Sequence, residues 1–279
     1  MYRGFNLLNI SKVFFGDDYE KYRDYGKATC GRFSNSASKS LKEYVRKKKN
    51  VIDTSVLQQA WFPTFTDKFD IFISHSHNDQ DLAYALAGWM LQKMKLNCFV
   101  DGAIWGSADS LLYELDKLCQ SGAHFFDYEE RNLTSSQIHA LLIDSIMQMI
   151  KNCECLFFLN TSNSIPITGG SLSPWLFLEL GVSKIIEKEP NAARREKYSY
   201  KKIALEGVEC VFPMSLSHLI ELSEENLNQW REHYGTLLTT IKMGNELSNG
   251  NKLSNGNETL YSLDVLYDLF EPRIKALEG

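Results

Sequence analysis

The chain has 279 residues, 44% hydrophobic and 23% charged, with a formal net charge of −5. That is enough for one large domain or a domain with extensions, and an acidic balance excludes a nucleic-acid binder that works by overall basicity. No apolar run reaches the roughly 20 residues needed to span a bilayer, and residues 1–5 lack the apolar core and cleavage site of a secretion signal. The expectation is a cytoplasmic protein with no membrane or nucleic-acid partner. The six cysteines fit that compartment. Most sit inside apolar runs, no CxxC pair occurs, and Cys153 with Cys155 lacks a second pair at zinc spacing. They read as reduced core residues.

Residues 1–66 read as an N-terminal, partly helical extension. A mixed aromatic and charged segment around Tyr19, Tyr22 and Tyr25 leads to a serine-rich stretch at 34–40. A short helix then runs into the basic run Arg46 to Lys49, whose ordinary explanation is a solvated helix end. A second short helix ends at Trp61-Phe62-Pro63.

From residue 67 an α/β pattern begins. Phe69 to Ile73 is an apolar run of strand type that switches into Ser74-His75-Ser76-His77-Asn78-Asp79 and then a helix over 80–94. A second strand, 96–100, ends at Asp101-Gly102. The loop that follows carries Trp105, and a helix is expected over 107–119. Residues 123–126 are a short strand candidate, and 127–134 a polar loop. A helix capped at Ser135 or Ser136 buries Ile138, Leu142, Ile146, Met149 and Ile150. Cys155 to Leu159 is a continuous apolar run, as expected of a strand buried on both faces, and it ends at Asn160. Pro174 opens the next helix, residues 184–202 form a charged surface excursion, and 208–213 is the last strand candidate.

This alternation predicts an α/β, mostly parallel five-stranded sheet with helices on both faces, in a domain spanning 67–215. Residues 216–279 read as a C-terminal helical extension, with helices at 224–243 and 260–277. A flexible Gly/Asn linker at 244–258 separates them, built on near-identical hexapeptides at 246–251 and 252–257.

Ligands of such sheets bind at the carboxyl ends of the strands, which directs attention to Ser74, His75 and Asn160. Glu179 is the sharpest catalytic candidate. It lies early in a helix that follows a buried strand, and Trp175, four residues before it, shares its face. A carboxylate beside an aromatic plate suits a substrate with a flat cationic ring and a ribose. Cleavage of NAD is the specific case: nicotinamide leaves as a neutral molecule, so no general acid is needed. One carboxylate can both stabilise the ribosyl cation and bind its hydroxyls. Taken alone, a helix-surface glutamate beside a core tryptophan explains the same pair. His75 and His77 with Asp79 lack a clear third ligand for a metal, so no metal and no cofactor are expected. Ser74 and His75 lack a nucleophile elbow.

The stretch Phe69-Asp70-Ile71-Phe72-Ile73-Ser74-His75 resembles the first box of the TIR (Toll/interleukin-1 receptor) domain of the bacterial immune type. Asn97 to Ser107 stands in place of its second box and BB loop. Ser173 to Leu180 resembles its SxWxxxEL segment. The RDxxPG of animal signalling members is absent, and Asp101-Gly102-Ala103-Ile104-Trp105-Gly106 stands instead. The resemblance implies a flavodoxin-like TIR domain that cleaves NAD in antiviral defence, with Glu179 catalytic and NAD as substrate. Ser74, His75, Asp101, Trp105, Asn160 and Trp175 would line the site. It also implies self-association through TIR–TIR contacts and a downstream effector that senses the nucleotide product. A non-enzymatic TIR scaffold and a nucleoside or nucleotide transferase on a similar sheet are the rival readings.

Overall fold

A computed structural model describes residues 3–30, 69–100, 102, 120–121, 125–126, 128–165, 170–171, 173–186, 212–213, 216–248 and 260–278. Its centre is a five-stranded, all-parallel sheet. The strands are β1 (Arg3–Leu8), β2 (Ile71–Ser74), β3 (Cys98–Val100), β6 (Cys155–Asn160) and β9 (Ile220–Leu222), in the spatial order β3-β2-β6-β1-β9. Two short antiparallel ladders lie outside it. One joins β4 (Gln120–Ser121) to β5 (Phe125–Phe126), and the other joins β7 (Gly170–Ser171) to β8 (Phe212–Pro213).

The helices are α1 (Lys12–Phe15), α2 (19–30), α3 (Gln80–Trp89), α4 (Tyr128–Asn152), α5 (Pro174–Ile185), α6 (Glu224–Ser248) and α7 (Ser262–Glu278). They cover both faces of the sheet, and strand alternation sorts the core into two layers. Phe5, Leu7, Ile71, Ile73, Phe157 and Leu222 point to the first layer, where side chains of α2, α3, α6 and α7 join them. Phe72, Phe99, Leu156 and Phe158 point to the second, under α4 and α5. This is the expected α/β fold with helices on both faces, of flavodoxin-like type. Among the described residues no helix is long and apolar enough to cross a membrane.

The sheet is not contained within 67–215. β1, from the segment read as an extension, pairs with β6 on one side and β9 on the other. It fills the fourth position, which a strand following β6 takes in the sequential flavodoxin order. The described part of the last strand candidate, Phe212–Pro213, pairs with Gly170–Ser171 instead. The edge of the main sheet is β9.

The C-terminal helices are likewise part of the first core layer. Trp230 is fully buried, and its Nε1–H donates to the Ser262 carbonyl at 2.7 Å. Ser262 Oγ donates to the Met94 carbonyl at 2.9 Å, which ties α6, the start of α7 and the end of the α3 segment together. Burying one such aromatic side chain is worth about 1.5–3 kcal/mol or more, which a detached extension would forfeit.

Other differences are local. The helix over 80–94 is regular only to Trp89. It continues as a π-helical turn over Met90–Met94 and ends at Lys95 with φ 60°. α4 starts at Tyr128, before the expected cap, so the described part of the expected polar loop is helical. Ser136 sits inside that helix and bonds back to the Asn132 carbonyl at 2.8 Å. A serine hydroxyl makes that bond mid-helix as readily as it caps. α6 runs on to Ser248, into the expected linker. The remaining linker positions and the helices expected over 41–62 and 107–119 fall outside the described residues.

Candidate functional site

The chain leaves β2 towards β3 on one side and returns in β6 on the other side of β2. The order therefore reverses between β2 and β6, which makes a crevice at their carboxyl ends. Parallel α/β sheets bind ligands at such switch points. Ser74 is the last residue of β2, and Asn160 the last of β6.

α5 brings Glu179 to this place. Ser173 is its N-cap and accepts from the Leu176 N–H at 3.3 Å, and Pro174 holds the first turn. Leu176, Leu180 and Val182 bury its apolar face in the second core layer. Glu179 lies on that buried face and is 0% exposed. Ser74, also fully buried, donates from Oγ to Glu179 Oε2 at 2.5 Å. Burial of a carboxylate is costly without such a donor.

His75 follows at the mouth of β2. It is buried, with Nδ1 3.4 Å from the Ile73 carbonyl oxygen. Its Nε2 faces Gly102 beyond β3, where a Cβ would stand 3.0 Å away. The rim is also stitched across. Asp79, buried at the start of α3, accepts from Thr161 Oγ1 at 2.5 Å and from Asn163 Nδ2 at 2.7 Å. These bonds bind the turn after β2 to the turn after β6, directly over the crevice. Asn160 is half-buried, and its carbonyl accepts from the Asn9 N–H at 3.4 Å.

Trp175 stands one turn before Glu179, partly buried against the second core layer. Its ring stacks on His139 of α4, with centroids 6.0 Å apart and planes at 15°. That contact places the indole between α4 and α5. Ser74, His75, Asn160 and Glu179 thus gather around one end of the β2–β6 pair, with Trp175 on the adjacent helix. Asp101 and Trp105 fall outside the described residues. Among the described residues no group of three or more His, Cys, Asp or Glu side chains is arranged to hold a metal ion.

Two features of this site escaped the sequence. The sequence puts Asp79 in the polar turn after β2, but nothing in it signals that this carboxylate clamps two turns together. Asn6, on the unsuspected strand β1, lies on the site's face of the sheet. The polar residue between apolar Phe5 and Leu7 is the only local signal of that strand's pattern, and it is too short to assign alone. No match was found for the chain among protein-family models, curated proteins or solved structures.

Proposed function

We propose that the chain is a TIR-type enzyme that cleaves the nicotinamide–ribose bond of NAD. The observation that carries this reading is the fully buried carboxylate of Glu179, held by the Ser74 hydroxyl at the switch point of the sheet. In this reading the C1′–N bond breaks and its electron pair passes to the nicotinamide ring nitrogen, which becomes neutral. The positive charge left on the ribosyl carbon needs a nearby anion, and a carboxylate in a water-poor site supplies it. Water then adds at C1′ and loses its proton, giving ADP-ribose. Attack by a nucleophile of the same molecule would instead give a cyclic isomer. Ser74 fixes the rotamer of Glu179, His75 and Asn160 border the opening, and Trp175 shapes the helix face above it. The setting that goes with this reading is cytoplasmic antiviral defence, with self-association of the TIR domain and an effector that reads the nucleotide product.

The complete burial of Glu179 favours a second reading, a TIR scaffold without catalysis. There the Ser74–Glu179 bond only pins α5 to β2. Incubation of the purified full chain with NAD, with nicotinamide and nucleotide products followed by mass spectrometry, decides between them. The enzyme reading expects nicotinamide release that Glu179→Gln abolishes. Equal release by the variant, or none by the wild-type chain at high protein concentration, overturns it.

A further inference from the structure

Asn6 and Ser74 occupy one row of the sheet. Ser74 is in register with Phe158, Phe158 with Asn6, and Asn6 with Glu221. Phe5, Leu7, Ile73 and Phe157 face the first core layer, so Ser74, Phe158 and Asn6 all face the second. At about 4.8 Å per strand, Asn6 and Ser74 are roughly 10 Å apart along the row. The row therefore carries a hydroxyl and a carboxamide on either side of one phenylalanine, beneath the helix layer that contains Glu179.

Asn6 is 3% exposed, and among the described residues its Oδ1 has no hydrogen-bond partner. A buried carbonyl left in that state costs stability, and such groups mark places where structure is given up for another purpose. A valine or leucine would fit the strand pattern and avoid the cost.

We propose that Asn6 is a substrate-binding residue of this site: its carboxamide oxygen accepts a hydrogen bond from a ribose hydroxyl of a nicotinamide nucleotide bound at the carboxyl ends of β2, β6 and β1. The inference rests on the NAD reading above and adds to it the ribose as the group that β1 recognises. Strand β1 thereby supplies chemistry as well as pairing. Glu179 meets the charge at the reacting carbon, and Asn6 reads a hydroxyl farther along the sheet. The interaction is made equally in the ground state and the transition state, so it affects binding more than turnover.

The test uses the full chain as wild type, Asn6→Ala and Asn6→Ser. Nicotinamide release gives KM and kcat for NAD, calorimetry gives the Kd of ADP-ribose, and thermal unfolding gives Tm. Asn6→Ala is expected to raise KM and Kd about tenfold with kcat within about twofold. Its Tm should equal or exceed that of the wild type, because an unsatisfied buried carbonyl has been removed. Asn6→Ser, which retains an acceptor, should recover part of the affinity. Unchanged KM and Kd in both variants overturn the proposal while leaving NAD cleavage intact. So does a fall in Tm and kcat at constant KM, which marks a packing role. If the wild-type chain binds ADP-ribose in an Asn6-dependent way but releases no nicotinamide, the ribose site stands and the cleavage reading falls. If it neither binds nor cleaves, both fall.

Discussion

Ser74 and Glu179, 105 positions apart in the chain, meet at 2.5 Å inside the protein, hydroxyl to carboxylate. The bond links the end of β2 to the first turns of α5 at the point where strand order reverses. Glu179→Gln keeps the size of the side chain and an oxygen to accept from Ser74, so it should fold normally. Its nicotinamide release should fall by about 10²-fold or more, as for loss of a charge that stabilises a transition state. Glu179→Ala also empties buried volume and strands the serine hydroxyl, and should lower stability by about 2–4 kcal/mol in urea unfolding. A Gln variant as active as the wild type would separate this carboxylate from catalysis.

Asp79 holds Thr161 and Asn163 across the crevice. Asp79→Ala should cost about 2–4 kcal/mol, since both bonds go to a charged acceptor. Thr161→Val, which removes one of them, should cost about half as much. Hydrogen exchange should show the added opening confined to the turns after β2 and β6. A uniform loss of protection across the sheet would contradict a local clamp.

Gly26 of α2 and Gly88 of α3 lie where the two helix backbones touch. A Cβ at Gly88 would overlap the Tyr22 carbonyl and approach Gly26 N to 3.0 Å. Gly88→Ala must push the helices apart and should destabilise by about 1–3 kcal/mol or more. Gly181 of α5 is exposed, with nothing within 4 Å of an added Cβ. Gly181→Ala should stabilise by about 0.5–1 kcal/mol through helix propensity alone. Thermal unfolding of the two variants should shift in opposite directions.

Alkaline pH should weaken the fold through buried acids. Desolvation pushes the Cys30 thiol up to about 12. It also raises Cys98, with smaller additions from Cys30, Asp70 and Cys153. Burial raises the Tyr267 phenol too, helped by Cys155, whose Sγ is 2.7 Å from the hydroxyl, and by Glu154. Each group keeps its proton in the native chain after the unfolded chain has lost it. Their stabilising effect is complete below the unfolded value and is lost as pH rises towards the folded one. Urea stability should be insensitive to these groups below about pH 8 and decline above about pH 9 for the two thiols and above about pH 10 for the phenol, by about 1.4 kcal/mol per pH unit for each group. Cys30→Ala should reduce the slope. An unchanged slope would remove Cys30 from the account.

The elements read most clearly from the sequence were those whose signal is local and whose burial is two-sided. Ile71 to Ser74 and Cys155 to Asn160 are interior parallel strands, so apolar side chains on both faces made continuous runs. The cap of α5 was equally plain, because Ser173 and Pro174 act within one turn. β1 was not legible. Gly4 and Asn6 interrupt its second face, so the apolar signal is only Phe5, Leu7 and Leu8, and nothing nearby indicates partners about 150 and 215 positions away. Of the candidate site residues, Ser74, His75, Asn160 and Glu179 follow from strand ends and one helix. Asn6 does not, because its place depends on a pairing that only the folded sheet reveals.

That pairing also sets the order in which the molecule can be completed. β1 leaves the ribosome before both of its neighbours, one of which begins at Cys155 and the other at Ile220. At about 5–20 residues per second, the first strand waits roughly 7–30 s for β6 and longer for β9. Until then it has two open edges in a chain whose other early strands cannot flank it. A cell making this protein therefore has a sticky early ribbon to protect, and an aggregation hazard that ends only when β9 arrives.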